Sequence, residues 1–205
     1  MPFQTFIALN TAAVIAMSGK KTILLDLDLR KPKVHLAMQT DNTVGMSNAI
    51  IKEKDWRDCV FTSKVENLDF ISAGPLPPNP SELIMSASFK KIVEELKEEY
   101  DVIVMDNPPV GVVSDGVGLL SEADIPLYVF KSQYSKRIFA ERVQELIEIQ
   151  KVTKLSVVLN GVVAAKRGYG YGYGYNYGYG YGYGAGYYTD DEEKKKTIFE
   201  RIFRK

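Results

Sequence analysis

The sequence predicts an α/β fold: a mostly parallel sheet with helices on both faces, followed by a disordered Gly/Tyr tail. Three observations predict it. Apolar runs of strand length recur through residues 1–165. Stretches with helical periodicity separate them, and that alternation is the pattern of a parallel sheet covered on both sides. Two of the apolar runs end in aspartates, at the carboxyl ends of strands where such folds bind ligands. The composition agrees, since 45% hydrophobic and 25% charged residues in a chain of 205 allow one ordinary domain with a packed core.

The elements follow in order. Residues 6–18, "FIALNTAAVIAMS", read as a helix apolar nearly all round, hence a buried one, with Gly19 as its stop. "TILLDLDL" (22–29) is an apolar run ending in acids and reads as a buried strand. "LDFIS" (68–72), "DVIVMD" (101–106), "IPLYVF" (125–130) and "LSVVLN" (155–160) repeat the type. Pro77, Pro78 and Pro80 shape a rigid connection, and Ser81 is expected to cap the helix after it. Ser88 to Glu99 places Phe89, Ile92, Val93 and Leu96 on one face, and Ser135 to Val152 does the same with Phe139, Val143, Leu146 and Ile147.

Several function classes lose support. With 26 basic and 26 acidic residues the formal charge is zero, so no general electrostatic footprint for nucleic acid exists. The single cysteine, Cys59, has no partner for a disulfide or a Cys-based zinc site, which fits a reduced cytosolic setting. No apolar run reaches the ~18 residues of a membrane span, and the start lacks the features of a signal peptide.

The polar residues at the strand ends carry the chemistry. The first strand ends in "DLDLR", giving Asp26, Asp28 and Arg30; the run "VIVM" ends in Asp106, followed by "NPP". Acids there are costly to desolvate unless water, a donor or a metal compensates them. Mg²⁺ prefers carboxylate oxygens, keeps waters and pairs with substrate phosphates, so Asp28 and Asp106 are candidates to hold it. Asp26 is placed to accept a proton or orient a nucleophile, and Arg30 to neutralise local charge. The ordinary alternative is that acids mark where strands leave the core. The lone His35 reads as structural.

These segments resemble the bacterial tyrosine kinases. "ILLDLDLR" looks like their Walker A′ motif and "VIVMDNPP" like their Walker B, while "RKPKVH", "VGMSNAI" and "GPLPPNPSELI" fall in the expected order. The resemblance covers residues 5–188 and implies a P-loop NTPase-like kinase domain over 1–165, with ATP and Mg²⁺ as cofactors. By that similarity Asp26 matches the aspartate that activates the tyrosine hydroxyl, with Arg30 beside it. Asp28 and Asp106 match residues around magnesium, Thr5 the P-loop hydroxyl that ligates the ion, and Asn160 a contact to the adenine edge. The chain departs from the pattern at its beginning. The family shows Gly-x-Gly-Lys-Thr just before "FIALN", whereas this chain reads "MPFQTFIALN". Gln4 then stands for the lysine and Phe3 for a glycine, and the strand before the loop is missing from near the centre of the sheet. The expectation is an N-terminally truncated domain, impaired in ATP binding.

Residues 166–189 form the tail. Ten of the thirteen tyrosines lie there, nearly all separated by single glycines: Tyr169, Tyr171, Tyr173, Tyr175, Tyr177, Tyr179, Tyr181, Tyr183, Tyr187 and Tyr188. Twenty residues of Gly-rich coil span roughly 22–27 Å, enough to carry a phenol to a neighbouring subunit. Each phosphate adds about −1.5 to −2 charges. The resemblance makes these tyrosines phosphoacceptors. It implies a homo-oligomeric ring, formed by tail exchange, that separates on phosphorylation, and a membrane-spanning polysaccharide co-polymerase-type activator, fused upstream or separate. It also implies a role in exopolysaccharide or capsule synthesis or export, at the inner face of the cell membrane. A rival reading of the tail is an adhesive segment or a stacking surface for single strands; no Arg or Lys interleaves the tyrosines, which disfavours nucleic acid. Residues 190–205 carry a charged block and then Ile198, Phe199, Ile202 and Phe203 on one helical face, suited to an anionic membrane surface or to packing on the body. The rival functions for the whole chain are a partitioning-type ATPase of the same fold and a catalytically dead scaffold or phosphorylation substrate.

Overall fold

The computed structural model describes residues 2–108, 115–149, 151–152 and 154–162. The ten tail tyrosines and the whole charged segment after them lie outside the described residues. The elements run α1 (Phe3–Met17), β1 (Thr22–Asp26), α2 (Val34–Met38), α3 (Met46–Ile50), a 3₁₀ turn (Trp56–Cys59), β2 (Phe61–Thr62), β3 (Leu68–Ile71), α4 (Pro80–Ile84), α5 (Ala87–Glu99), β4 (Val102–Asp106), α6 (Asp115–Glu122), β5 (Leu127–Lys131), α7 (Ile138–Glu148) and β6 (Ser156–Asn160). The strands form a four-stranded sheet in the order β2-β3-β1-β4 and a two-stranded sheet of β5 and β6. β1 is parallel to β3 and β4, β6 is parallel to β5, and among the described residues only the short β2 runs antiparallel.

All five residues of β1 are buried, as expected of a strand covered on both faces, which reads as a continuous apolar run. Its side chains alternate between two cores. Ile23 and Leu25 pack with Met46, Ile84, Phe89 and Leu96 from α3, α4 and α5. Leu24 packs on the other side with Leu68, Phe70 and the α1 residues Leu9, Ala12, Ala13 and Ala16. The small residues of α1 let its backbone lie close on the sheet. Its opposite side is open, with Val14 53% and Met17 66% exposed. The helix is thus buried along one stripe, where its composition suggested burial all round. Gly19 ends it with φ +90, and its N–H donates to the Ala16 carbonyl.

Other expectations shift for local reasons. The run "TILLDLDL" leaves the sheet after Asp26. Leu27 N–H still donates to the Asp106 carbonyl, but the Asp26 carboxylate collects the N–H groups of Asp28, Lys33 and Val34 and turns the chain. Asp28 and Arg30 therefore lie in a loop. Ser81 does not cap a helix: Pro80 occupies the first turn of α4, and Asn79 precedes it. Proline is preformed for that position and has no N–H to satisfy. The cap before α5 is Ser86, whose Oγ accepts from Phe89 N–H at 3.2 Å. Ser86→Ala is expected to cost about 1 kcal/mol and to lower the midpoint of a thermal melt by roughly 2–4 °C.

Candidate active site at the carboxyl edge of the sheet

β1 and β4 end side by side, with Asp26 and Asp106 as register partners. Both apolar strands are anchored by α1, whose first turn brings Thr5 onto the same edge. Thr5 is 5% exposed, and its hydroxyl hydrogen-bonds to the Asp106 carboxylate. Asp28 follows two residues after Asp26 and is half-buried; its Oδ1 accepts from Lys31 N–H at 3.1 Å. Thr5, Asp26, Asp28 and Asp106 thus converge, although sequence separates them by up to a hundred residues.

The electrostatics are those of acids crowded together out of water. Asp26 is fully buried. Burial, then the charges of Asp106 and Asp28, push its pKa up to about 7, against the pull of the Val34 and Lys33 N–H groups. Asp106 is 3% exposed. Its pKa is pushed up to about 6, first by burial and then by Asp28, with the Thr5 hydroxyl acting the other way. The pair therefore keeps a proton into the neutral range, and its protons belong to the pair more than to either residue.

Arg30 and Asn160 stand apart. The Arg30 side chain crosses to α4, where Nη2 donates to Ser81 Oγ at 2.9 Å. Asn160 ends β6 opposite Lys131 in the second sheet, and its carbonyl accepts from Ser132 N–H. No hydrogen bond joins it to the four clustered residues. One neighbour was overlooked in the sequence: Asn107, whose Oδ1 is buried with no partner among the described residues. Its signal was the polar residue held between Asp106 and the two prolines.

Asp106 Oδ2 is buried and without a partner among the described residues, so an acceptor already desolvated faces the cluster. No group of three or more His, Cys, Asp or Glu among the described residues is arranged to hold a metal by itself. That suits Mg²⁺, which takes one or two carboxylates and fills its shell with water and phosphate oxygens. The fit to the phosphates of a nucleotide is incomplete. Residues 2–5 supply the start of α1 and the Thr5 hydroxyl, but neither glycine nor lysine, and Pro2 has no N–H to offer.

The family described as the AAA domain matches residues 4–157. The chain is 37% identical over 164 residues to the tyrosine-protein kinase YwqD of Bacillus subtilis, covering 80% of this chain and 69% of that protein. It is 31% identical over 166 residues to the tyrosine-protein kinase wzc of Salmonella typhimurium, covering 81% of this chain but only 23% of that longer protein. Among solved structures, the kinase domain of the Escherichia coli tyrosine kinase ETK superposes with a TM-score of 0.73 at 29% identity, covering 83% of this chain and 68% of that one.

Proposed function

The chain belongs to the AAA-domain family and, within it, to the bacterial tyrosine-protein kinases, and on that premise we propose that it acts on the tyrosines of its own C-terminal tail. The observation that carries the reading is the Asp26–Asp106 pair, both buried, both raised in pKa chiefly by that burial, and joined by Thr5 and Asp28 at one strand edge. Thr5, Asp28 and Asp106 would hold Mg²⁺, and Asn160 would meet the base of the nucleotide. When bound, ATP would supply the phosphoryl group and Mg²⁺ the positive charge that favours the ionised carboxylates. Asp26 takes the phenolic proton of a tail tyrosine, since a base with a pKa near the working pH is the effective one. Its oxygens are tied to the backbone of the 26–34 loop, so that loop must open for a phenol to reach them. Arg30, on the same loop, balances charge as it moves. Positioning and charge neutralisation do the rest, as in phosphoryl transfer generally.

The acceptors are Tyr169 through Tyr188, reached in cis or on a neighbour in a ring that comes apart as phosphate accumulates. A membrane-spanning activator of the polysaccharide co-polymerase type would dock the domain at the inner face of the membrane, where it controls capsular or exopolysaccharide export. No helix among the described residues is long and apolar enough to cross a membrane.

With Phe3 and Gln4 in place of the glycine and lysine of a phosphate loop, binding of nucleotide is weak in the chain as it stands. That observation favours a second reading, a scaffold or phosphorylation substrate. Incubation with excess MgATP, followed by mass spectrometry of the tail, separates the readings. Phosphotyrosine among Tyr169–Tyr188 that disappears in Asp26→Asn is the expected result. Phosphate release with an unmodified tail points to a partitioning-type ATPase. No nucleotide binding and no modification points to the scaffold.

A further inference from the structure

The loop that carries Asp26 and Asp28 continues as "RKPK", residues 30–33. Its backbone is fastened from within by the acids it follows. Lys31 N–H donates to Asp28 Oδ1 at 3.1 Å and Lys33 N–H to Asp26 Oδ2 at 3.2 Å, with Pro32 stiffening the chain between them. Lys31 is exposed and Lys33 half-buried. Neither lysine forms an ion pair among the described residues. Two ammonium groups thus stand within a side chain's length of the two site acids. The complementary charge lies at the far end of the tyrosine-rich tail. Asp190, Asp191, Glu192 and Glu193 follow Tyr187, Tyr188 and Thr189 directly, outside the described residues.

We propose that the acidic block 190–193 docks on Lys31 and Lys33 and thereby holds Tyr188 and Tyr187 before Asp26 as the first acceptors of the tail. The inference rests on the reading of the tail as phosphoacceptor and adds an anchor and an order to it. The register follows from chain geometry. Tyr188 and Tyr187 stand two and three residues before Asp190, so an extended chain sets them about 7–10 Å from the anchor, and the anchor is itself beside Asp26. For tyrosines farther along the tail the effective concentration at the site falls with the length of coil between. The 27 residues 163–189 span roughly 26–31 Å as Gly-rich coil, which lets the block reach the loop of its own copy or of a neighbour. The presented phenolic oxygen would gain the terminal phosphoryl of ATP, its proton passing to Asp26 and ADP leaving with the bridging oxygen. The anchor sits on the loop that has to open for that phenol to enter.

The first arm of the test needs no nucleotide. A fluorescently labelled peptide of residues 185–196, which keeps the three lysines after the block, is titrated by anisotropy against the full chain. Saturable binding that weakens as salt rises is expected, since exposed charges are screened. Lys31→Gln combined with Lys33→Gln keeps both N–H bonds to the acids and should leave the melting midpoint unchanged while weakening binding about fivefold or more. Lys52→Gln combined with Lys54→Gln, at two exposed lysines of the same spacing, should leave binding as it is. The second arm adds MgATP and maps tail phosphate by mass spectrometry at early times. Tyr187 and Tyr188 should be modified first, and that preference should vanish when Asp190→Asn, Asp191→Asn, Glu192→Gln and Glu193→Gln are combined. Peptide binding that depends on Lys31 and Lys33 in a chain that modifies no tyrosine supports the docking and counts against the kinase reading alone. Absence of binding, equal sensitivity to the two lysine pairs, or an order of modification that survives the neutral block overturns the proposal.

Discussion

Asp106→Asn is expected to make the protein more stable above pH 7 and insensitive to magnesium. The substitution is nearly isosteric and keeps an oxygen for the Thr5 hydroxyl. It removes a buried acid whose pKa lies near 6 and whose charge helps push Asp26 to about 7. It also removes the unpartnered Oδ2 that offers itself to a cation.

The sign of the pH dependence follows from linkage. Both carboxyl groups have folded-state pKa values above the ordinary carboxylate value near 3.8. Between pH 4 and 7 the folded protein therefore holds more protons than the unfolded chain, and stability falls as pH rises. Their contribution is fully present below about pH 4, is lost progressively to about pH 7 and is flat above that. A rise of about three units in one acid corresponds to roughly 4 kcal/mol, and the coupled pair does not count twice. Removing Asp106 should return about 2–3 kcal/mol at pH 8, or roughly 4–12 °C in the melting midpoint. Mg²⁺ at pH 8 should raise the midpoint of the native chain and leave the variant unmoved. Equal pH profiles for the two proteins, or a metal response that survives the substitution, would remove the case for a shared acid cluster.

Much of this site was legible in advance because its chemistry is written at strand ends. Apolar runs closing in Asp26 and Asp106 need only the period of a strand and the cost of a buried acid to be noticed. The convergence of Thr5 on Asp106 followed from resemblance, since nothing local in α1 announces which strand it crosses. What escaped was tertiary. The carboxylate of Asp26 serves its own loop through three N–H groups, so the residue read as a proton acceptor is fully enclosed. Arg30 reaches a serine on α4 that sequence spacing had made a helix cap. The two-residue strand β2 and the five-residue helices α2, α3 and α4 are too short for periodicity to register. They exist because the sheet and its cores hold them in place.

Gly45→Ala is expected to be the most damaging small substitution in the body of the protein. Gly45 caps α3 in an extended conformation that any residue adopts, so backbone freedom is not what glycine provides there. The reason is space. A Cβ at Gly45 would lie 2.2 Å from the Ser72 carbonyl oxygen and 2.3 Å from the Gly74 nitrogen, both backbone atoms that no rotamer change can move. The contact is close because α3 is hung from the chain after β3: Met46 N–H donates to the Ser72 carbonyl and Ser47 N–H to the Ala73 carbonyl. Asn48 Oδ1 accepts from Gly45 N–H at 3.0 Å, and Asn42 clasps Gly74 through both its N–H and its carbonyl. A methyl group at Gly45 must push this junction apart, and Met46, Ala49 and Ile50 would leave the core with it. Overpacking of this kind costs about 3 kcal/mol, which lowers the melting midpoint by roughly 6–12 °C in a chain of this size. Ser47→Ala, at a buried hydroxyl with no partner among the described residues, is the matched control and should be close to neutral. If Gly45→Ala melts with the native protein while Ser47→Ala does not, the junction between α3 and the end of β3 is not closed as described.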